Sequence, residues 1–275
     1  MKIDILLPLS LFLIVALSLL LNEKIGRRVR GILGDRKLGG HEIFLMVASV
    51  GAMVSLTVLM PSYAIQIIFV AAYSYMLLIF VYLLLEKILL AVIPPVAFII
   101  TYLAVYIIIE DAYIANAIMS LFAALFAIMI ITYLNALFSW RVAILFAALL
   151  TAMDVIQVFL TTHMIEAAFK MIALRLPVAI ILPTFPSVGY MMSLGLGDIF
   201  LSGLLSTQAA NRYGRKTGLL IAASISAALF IFEILAFNLK LEFEGGFPAT
   251  IIVLLGCFLG LGISILQKRI SERKW

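Results

Sequence analysis

Nine runs of roughly 20 residues, each almost free of charge, follow one another along this 275-residue chain. They lie at about 5–21, 43–60, 64–85, 88–109, 114–138, 142–162, 187–206, 218–237 and 247–266. A run of that length crosses the hydrocarbon of a bilayer as a helix, because only a helix supplies its own backbone hydrogen-bond partners within one segment. Strands of a membrane barrel would alternate apolar and polar residues, and these runs do not. Composition agrees, with 65% hydrophobic residues, 12% charged and a mean hydropathy of +1.25. Soluble domains run near 45–50% apolar and about 25% charged. The balance excludes a water-soluble enzyme, a disulfide scaffold and a disordered chain; the single Cys257 sits in an apolar run as a small hydrophobe. The expected fold is an all-α polytopic membrane protein, a single transmembrane domain over 1–275 with nine transmembrane helices. The short connections lead us to expect spans two to six as antiparallel neighbours.

The net charge of +5 matters less than its distribution. Lys24, Arg27, Arg28, Arg30, Arg36 and Lys37 crowd the first connection, Arg212, Arg215 and Lys216 the seventh, and Lys268, Arg269, Arg273 and Lys274 the C-terminus. Nine alternating spans place 15 of the 19 Lys and Arg on one side. By the positive-inside rule that side is cytoplasmic, which puts the N-terminus outside and the C-terminus inside. The clusters read as loops facing anionic headgroups, not as a nucleic-acid site.

One stretch breaks the pattern. Residues 164–176 carry Glu166, Lys170 and Arg175 on an apolar background, as a short interfacial helix would. PVAIILP follows, bracketed by Pro177 and Pro183, with Pro186 close behind. Three prolines preclude an ordinary helix, and the β-branched content favours a short extended segment before the seventh span, with an irregular connecting loop as the equal alternative.

Carboxylates inside a membrane are costly and mark function by default. Glu86, Glu110, Asp111, Glu166, Glu242 and Glu244 lie at span ends or in loops, and Glu233 in the last turns of the eighth span reads as a snorkelling end. Asp154 and Asp198 remain, in the middle of the sixth and seventh spans. Counted from the outer ends of those spans their depths are about 12 and 17 Å at 1.5 Å per residue, so the two can meet. Two close acids in a dry site do not both ionise, and the pair then shares one proton. That is the state in which one carboxylate activates water while the other protonates a scissile carbonyl oxygen. Water implies a polar cavity, and Thr151 and Gln157 on the face of Asp154 are candidates either to line it or, equally, to hydrogen-bond between helices. Gly195 and Gly197 permit close approach beside Asp198.

Gly195-Leu196-Gly197-Asp198 resembles the GxGD motif of the presenilin and signal peptide peptidase family of intramembrane aspartyl proteases. In that family the partner aspartate lies on the preceding helix, as Asp154 does, and a Pro-Ala-Leu motif opens the ninth helix, where this chain has Pro248-Ala249-Thr250. The resemblance covers nearly the whole chain. It departs at Met153, where the family has Tyr, and at Thr250, where it has Leu. It implies a presenilin-like fold, Asp154 and Asp198 as catalytic residues, and transmembrane helices or signal peptides as substrates. The orientation resembles that of signal peptide peptidase, in a compact prokaryotic plasma-membrane protein without obligatory accessory subunits, self-association left open. Ile181 and Leu182 in PVAIILP are candidates to pair with an unwound substrate as an added strand. No metal and no organic cofactor is expected.

The alternative from another class is an ion- or proton-coupled transporter using the same carboxylates, since buried acids and broken helices also build transport sites. Against it, residues 177–198 have no counterpart in the first half. A prepilin-type peptidase would hold its acids near the cytoplasmic face. His41, His163 and the single Cys make no metal constellation, and the glycines at 31, 34, 39 and 40 make no phosphate-binding loop.

Overall fold

The computed structural model describes residues 3–33, 37–187, 189–239 and 247–272. Lys2, Arg36, Lys240, Glu242, Glu244, Arg273 and Lys274 lie outside the described residues, as do the side chains of Lys24, Arg27 and Arg30. The chain forms α1 (Leu6–Leu33), α2 (Gly40–Leu59), α3 (Ser62–Leu85), α4 (Ile88–Ala91), α5 (Ile93–Ile107), α6 (Ala112–Leu137) and α7 (Trp140–Val155). A π-helical turn (Ile156–Leu160), α8 (His163–Ala173), β1 (Ala179–Pro183), β2 (Met191–Gly195), α9 (Leu196–Tyr213), α10 (Arg215–Asn238) and α11 (Ala249–Glu272) complete it.

Among the described residues, seven helical segments are long and apolar enough to cross a membrane: Gly40–Leu59, Ser62–Leu85, Ile88–Ile107, Ala112–Leu137, Trp140–Leu160, Arg215–Asn238 and Ala249–Ile270. The protein is therefore an all-α, multi-pass membrane protein. The segment Ile88–Ile107 is broken at Val92, ahead of Pro94 and Pro95, which have no N–H to continue the hydrogen-bond ladder. Leu6–Asn22 of α1 is apolar but shorter. α9 falls outside the apolar set for a different reason. It is the interior helix, with every residue from Leu201 to Ala209 buried, and α1, α6, α7, α10 and α11 pack around it. A helix shielded by protein from lipid can carry Ser202, Ser206, Thr207 and Gln208.

Of those polar groups Gln208 links helices, Ser202 and Thr207 are satisfied within α9, and the Ser206 hydroxyl has no partner among the described residues. Ser202 and Thr207 bond back to the carbonyls of Asp198 and Gly203, at 2.7 and 2.8 Å. The Gln208 amide donates to Asn135 Oδ1 at 2.8 Å and to the Phe138 carbonyl at 3.0 Å, and Asn211 donates to the same Asn135 oxygen at 3.0 Å, tying α9 to the end of α6.

The expectation that spans two to six neighbour one another in sequence order is corrected in part. α3 packs on α5, but α2 packs chiefly on α7 and α8, and α6 on α1, α9 and β1. A short connection fixes that two helices run antiparallel, whereas lateral placement follows the faces that need burial.

α10 and α11 approach at backbone distance. A Cβ on Gly256 would stand 2.5 Å from Ile225 Cα, and one on Gly260 would stand 2.8 Å from Ile221 Cα. In lipid, where apolar side chains gain little from meeting each other, such close contact supplies the packing energy that pairs helices. Gly256→Ala is expected to destabilise the protein by about 1–3 kcal/mol. Gly262→Ala, with nothing within 4 Å of the added carbon, should leave the thermal midpoint in detergent unchanged or higher.

Candidate active site

Asp154 stands one residue before the end of α7, where the helix widens into the π turn that completes the span. Such turns are frequent at functional sites because they re-aim side chains. Gln157, within this turn, donates to the Gly51 carbonyl at 2.8 Å and so fastens the end of α7 to α2. The absence of a side chain at Gly51 makes room for Met153, whose Cε would lie 2.0 Å from a Cβ there.

The chain then turns through Thr162, at a left-handed φ of 58°, into α8. Met164, Ala167, Ala168, Met171 and Ile172 of this amphipathic helix form one wall of the site. Lys170 of this helix and Arg175 just beyond it bond to other helices rather than facing only solvent. Lys170 Nζ donates to the carbonyls of Thr57, Val58 and Met60 at 3.1, 2.9 and 2.5 Å, closing the C-terminus of α2. The Arg175 guanidinium donates to the carbonyls of Val105 and Ile109 at the end of α5. At the opposite ends of the bundle Arg28 donates to Leu83 and Leu84 of α3, and Lys37 to Ala136 and Phe138 at the end of α6. Helix C-termini leave carbonyls without partners and carry partial negative charge, so cations satisfy both needs. Part of the basic content read as headgroup-facing thus serves helix ends.

Ala179–Pro183 is extended, as the flanking prolines suggested, and pairs antiparallel with Met191–Gly195. The second strand is a correction. Residues 187–195 were read as the start of a span, but α9 begins at Leu196, so Asp198 occupies the first turn of a helix rather than the middle of one. A short apolar run does not distinguish strand from helix by periodicity. Here the partner strand decides. Ile180–Leu194 and Leu182–Met192 face each other in the register set by the flanking bonds from Leu196 N–H to the Val178 carbonyl and from Thr184 N–H to the Tyr190 carbonyl, both 3.0 Å. The odd-numbered residues therefore point their amides outward. On the β1 side that edge is occupied: Ser120 of α6 accepts from Ile181 N–H at 2.9 Å and donates to its carbonyl at 3.1 Å. Ile181 and Leu182 are thus committed to α6 and to β2, and neither lines the cavity. The open edge belongs to β2, at Ser193 and Gly195.

Asp154, Asp198, Thr250, Gly195, Leu196 and Gly197 all line one cavity of about 450 Å³. Asp154 is 4% exposed and Asp198 7%, and their charges interact. One oxygen of each, Asp154 Oδ1 and Asp198 Oδ1, has no hydrogen-bond partner. Thr250, one residue into α11, donates its hydroxyl to Asp154 Oδ2 at 2.6 Å. Pro248 precedes the helix and Ala249 opens it. The cavity is less polar than expected, with Gln157, Ser193 and Thr250 its only uncharged polar side chains among the described residues. Thr151 is not among the lining residues.

A second acidic pair was missed. Glu233 is not a snorkelling end: it is 1% exposed, and neither of its carboxylate oxygens has a partner. Its charge interacts with that of Asp4, which is fully buried and takes the N–H groups of Leu6 and Phe185 on Oδ1, at 3.0 and 3.1 Å. Only the isolated position of Glu233 inside an apolar run hinted at this. The sequence matches no protein-family model and no curated protein.

Replacing Lys170 by Met removes three charge-assisted bonds to α2. The expected cost is about 1–3 kcal/mol, read as a lower thermal midpoint in detergent.

Proposed function

We propose that this chain is an intramembrane aspartyl endopeptidase of the presenilin and signal peptide peptidase type, cleaving transmembrane helices or signal peptides. One observation carries the reading: two buried carboxylates from different helices face one cavity, each with an unpartnered oxygen and no cation beside it among the described residues. Unpaired charges held this way serve no stabilising end, since burial without compensation costs several kcal/mol per ion. They suit a pair that holds one proton and exchanges it with substrate.

The ionised aspartate takes a proton from water as the oxygen attacks the scissile carbonyl carbon, and the protonated aspartate donates to the carbonyl oxygen. The gem-diol collapses as the C–N bond breaks, the nitrogen receiving a proton from the first aspartate and the diol returning one to the second. The pair ends in its starting state. Apolar walls from α2, α6 and α8 exclude bulk water and strengthen these transfers.

A substrate helix must unwind at the cleaved bond, and its backbone then needs partners. The free edge of β2 at Ser193 and Gly195 borders the cavity beside Asp198 and supplies them, as an added strand would find at an open sheet edge. This moves the docking strand from β1, where PVAIILP had placed it, to β2.

The reading includes nine crossings in a presenilin-like fold. α1 and α9 join the seven apolar segments; α9 spans about 27 Å at 1.5 Å per residue, close to the hydrocarbon thickness, and is lined by protein. The N-terminus lies outside and the C-terminus in the cytoplasm of a prokaryotic plasma membrane, and the chain works without accessory subunits.

Purified protein incubated with a labelled transmembrane peptide is expected to release two products. Asp154→Asn and Asp198→Asn should each lower the rate by at least about 100-fold, and a peptide with a hydroxyl in place of the scissile carbonyl should block it. Ion flux into liposomes without peptide products would instead support the transporter. Ser193→Pro removes an outward N–H from β2 and should lower turnover about fivefold to tenfold at an unchanged thermal midpoint.

A further inference from the structure

The two aspartates are not equivalent. Asp154 Oδ2 receives the Thr250 hydroxyl at 2.6 Å. Asp198 sits in the first turn of α9, and among the described residues no side-chain donor reaches it. No other titratable group lines the cavity among the described residues. A bond from a hydroxyl favours the charged form of the carboxylate that accepts it.

We propose that Thr250 holds Asp154 as the ionised member of the pair and leaves the shared proton on Asp198. The assignment rests on the protease reading and adds the direction of proton flow to it. Asp154 is then the base that activates water, and Asp198 the acid that protonates the carbonyl oxygen. Thr250 acts through Asp154 and is a positioning residue, a task the leucine of the family motif has no hydroxyl to perform.

Thr250→Val keeps the shape and removes the hydroxyl, while Thr250→Ser keeps the hydroxyl and removes a methyl. With the full-length protein and a labelled transmembrane peptide, Thr250→Val is expected to lower kcat roughly tenfold with KM unchanged. Thr250→Ser should stay within about twofold of wild type. Equal rates for wild type and Thr250→Val, or a serine variant as slow as the valine one, would overturn the proposal. A second measurement does not depend on turnover. In infrared difference spectra of variant against wild type, the protonated-carboxyl band of the pair should vanish in Asp198→Asn and persist in Asp154→Asn, with Glu233 common to both and cancelling. The reverse pattern sinks the assignment even if peptide is cleaved. If wild type cleaves no peptide, the protease reading fails while the infrared result still locates the proton.

Discussion

A peptide backbone surrounded by hydrocarbon has to find its hydrogen-bond partners within the protein, and the architecture follows from where this chain declines to be helical. Residues 177–187 and 189–195 leave the helical ladder just ahead of Asp198. Their amides are accounted for one strand edge at a time: β1 against β2, and the outer edge of β1 against the Ser120 hydroxyl. The edge left over, on β2, borders the cavity. Non-helical backbone at membrane depth is tolerated when it is buried in protein or lines a cavity, and this hairpin lines one.

The same constraint explains the polar interior. α9 carries hydroxyls and an amide through the middle of the bundle because its neighbours, not lipid, surround it. Asn135, Gln208 and Asn211 form a junction at one end of that helix, and the first turn at the other end presents Asp198. Cations close the C-termini of α2, α3, α5 and α6, each exploiting carbonyls that a helix cannot satisfy alone. α8 links this scaffold to the site, since one of its faces walls the cavity while Lys170 grips α2.

Much of the candidate site could be read from residues alone. Asp154 and Asp198 stood out because charge within an apolar run is expensive, and both face one cavity. The extended character of Ala179–Pro183 followed from its flanking prolines. Thr250 was legible as a departure from a motif but not as a donor to Asp154, because a hydrogen bond between residues 96 positions apart depends on how α11 docks. Glu233 was misread because its distance from the end of a span said nothing of the buried Asp4 beside it. The start of α9 was misplaced because apolar alternation and an apolar helix look alike over five residues.

Hydrophobic content and run length determined without coordinates that this chain lives in a membrane as helices, since transfer energetics depend on composition summed over about 20 residues. The expense of buried charge likewise singled out the two aspartates. Tertiary structure decided which helix lies at the centre, which strand edge stays open and which aspartate receives the hydroxyl. Those outcomes depend on lateral packing between distant segments, where a glycine facing Ile225 or a serine facing Ile181 matters more than any local preference.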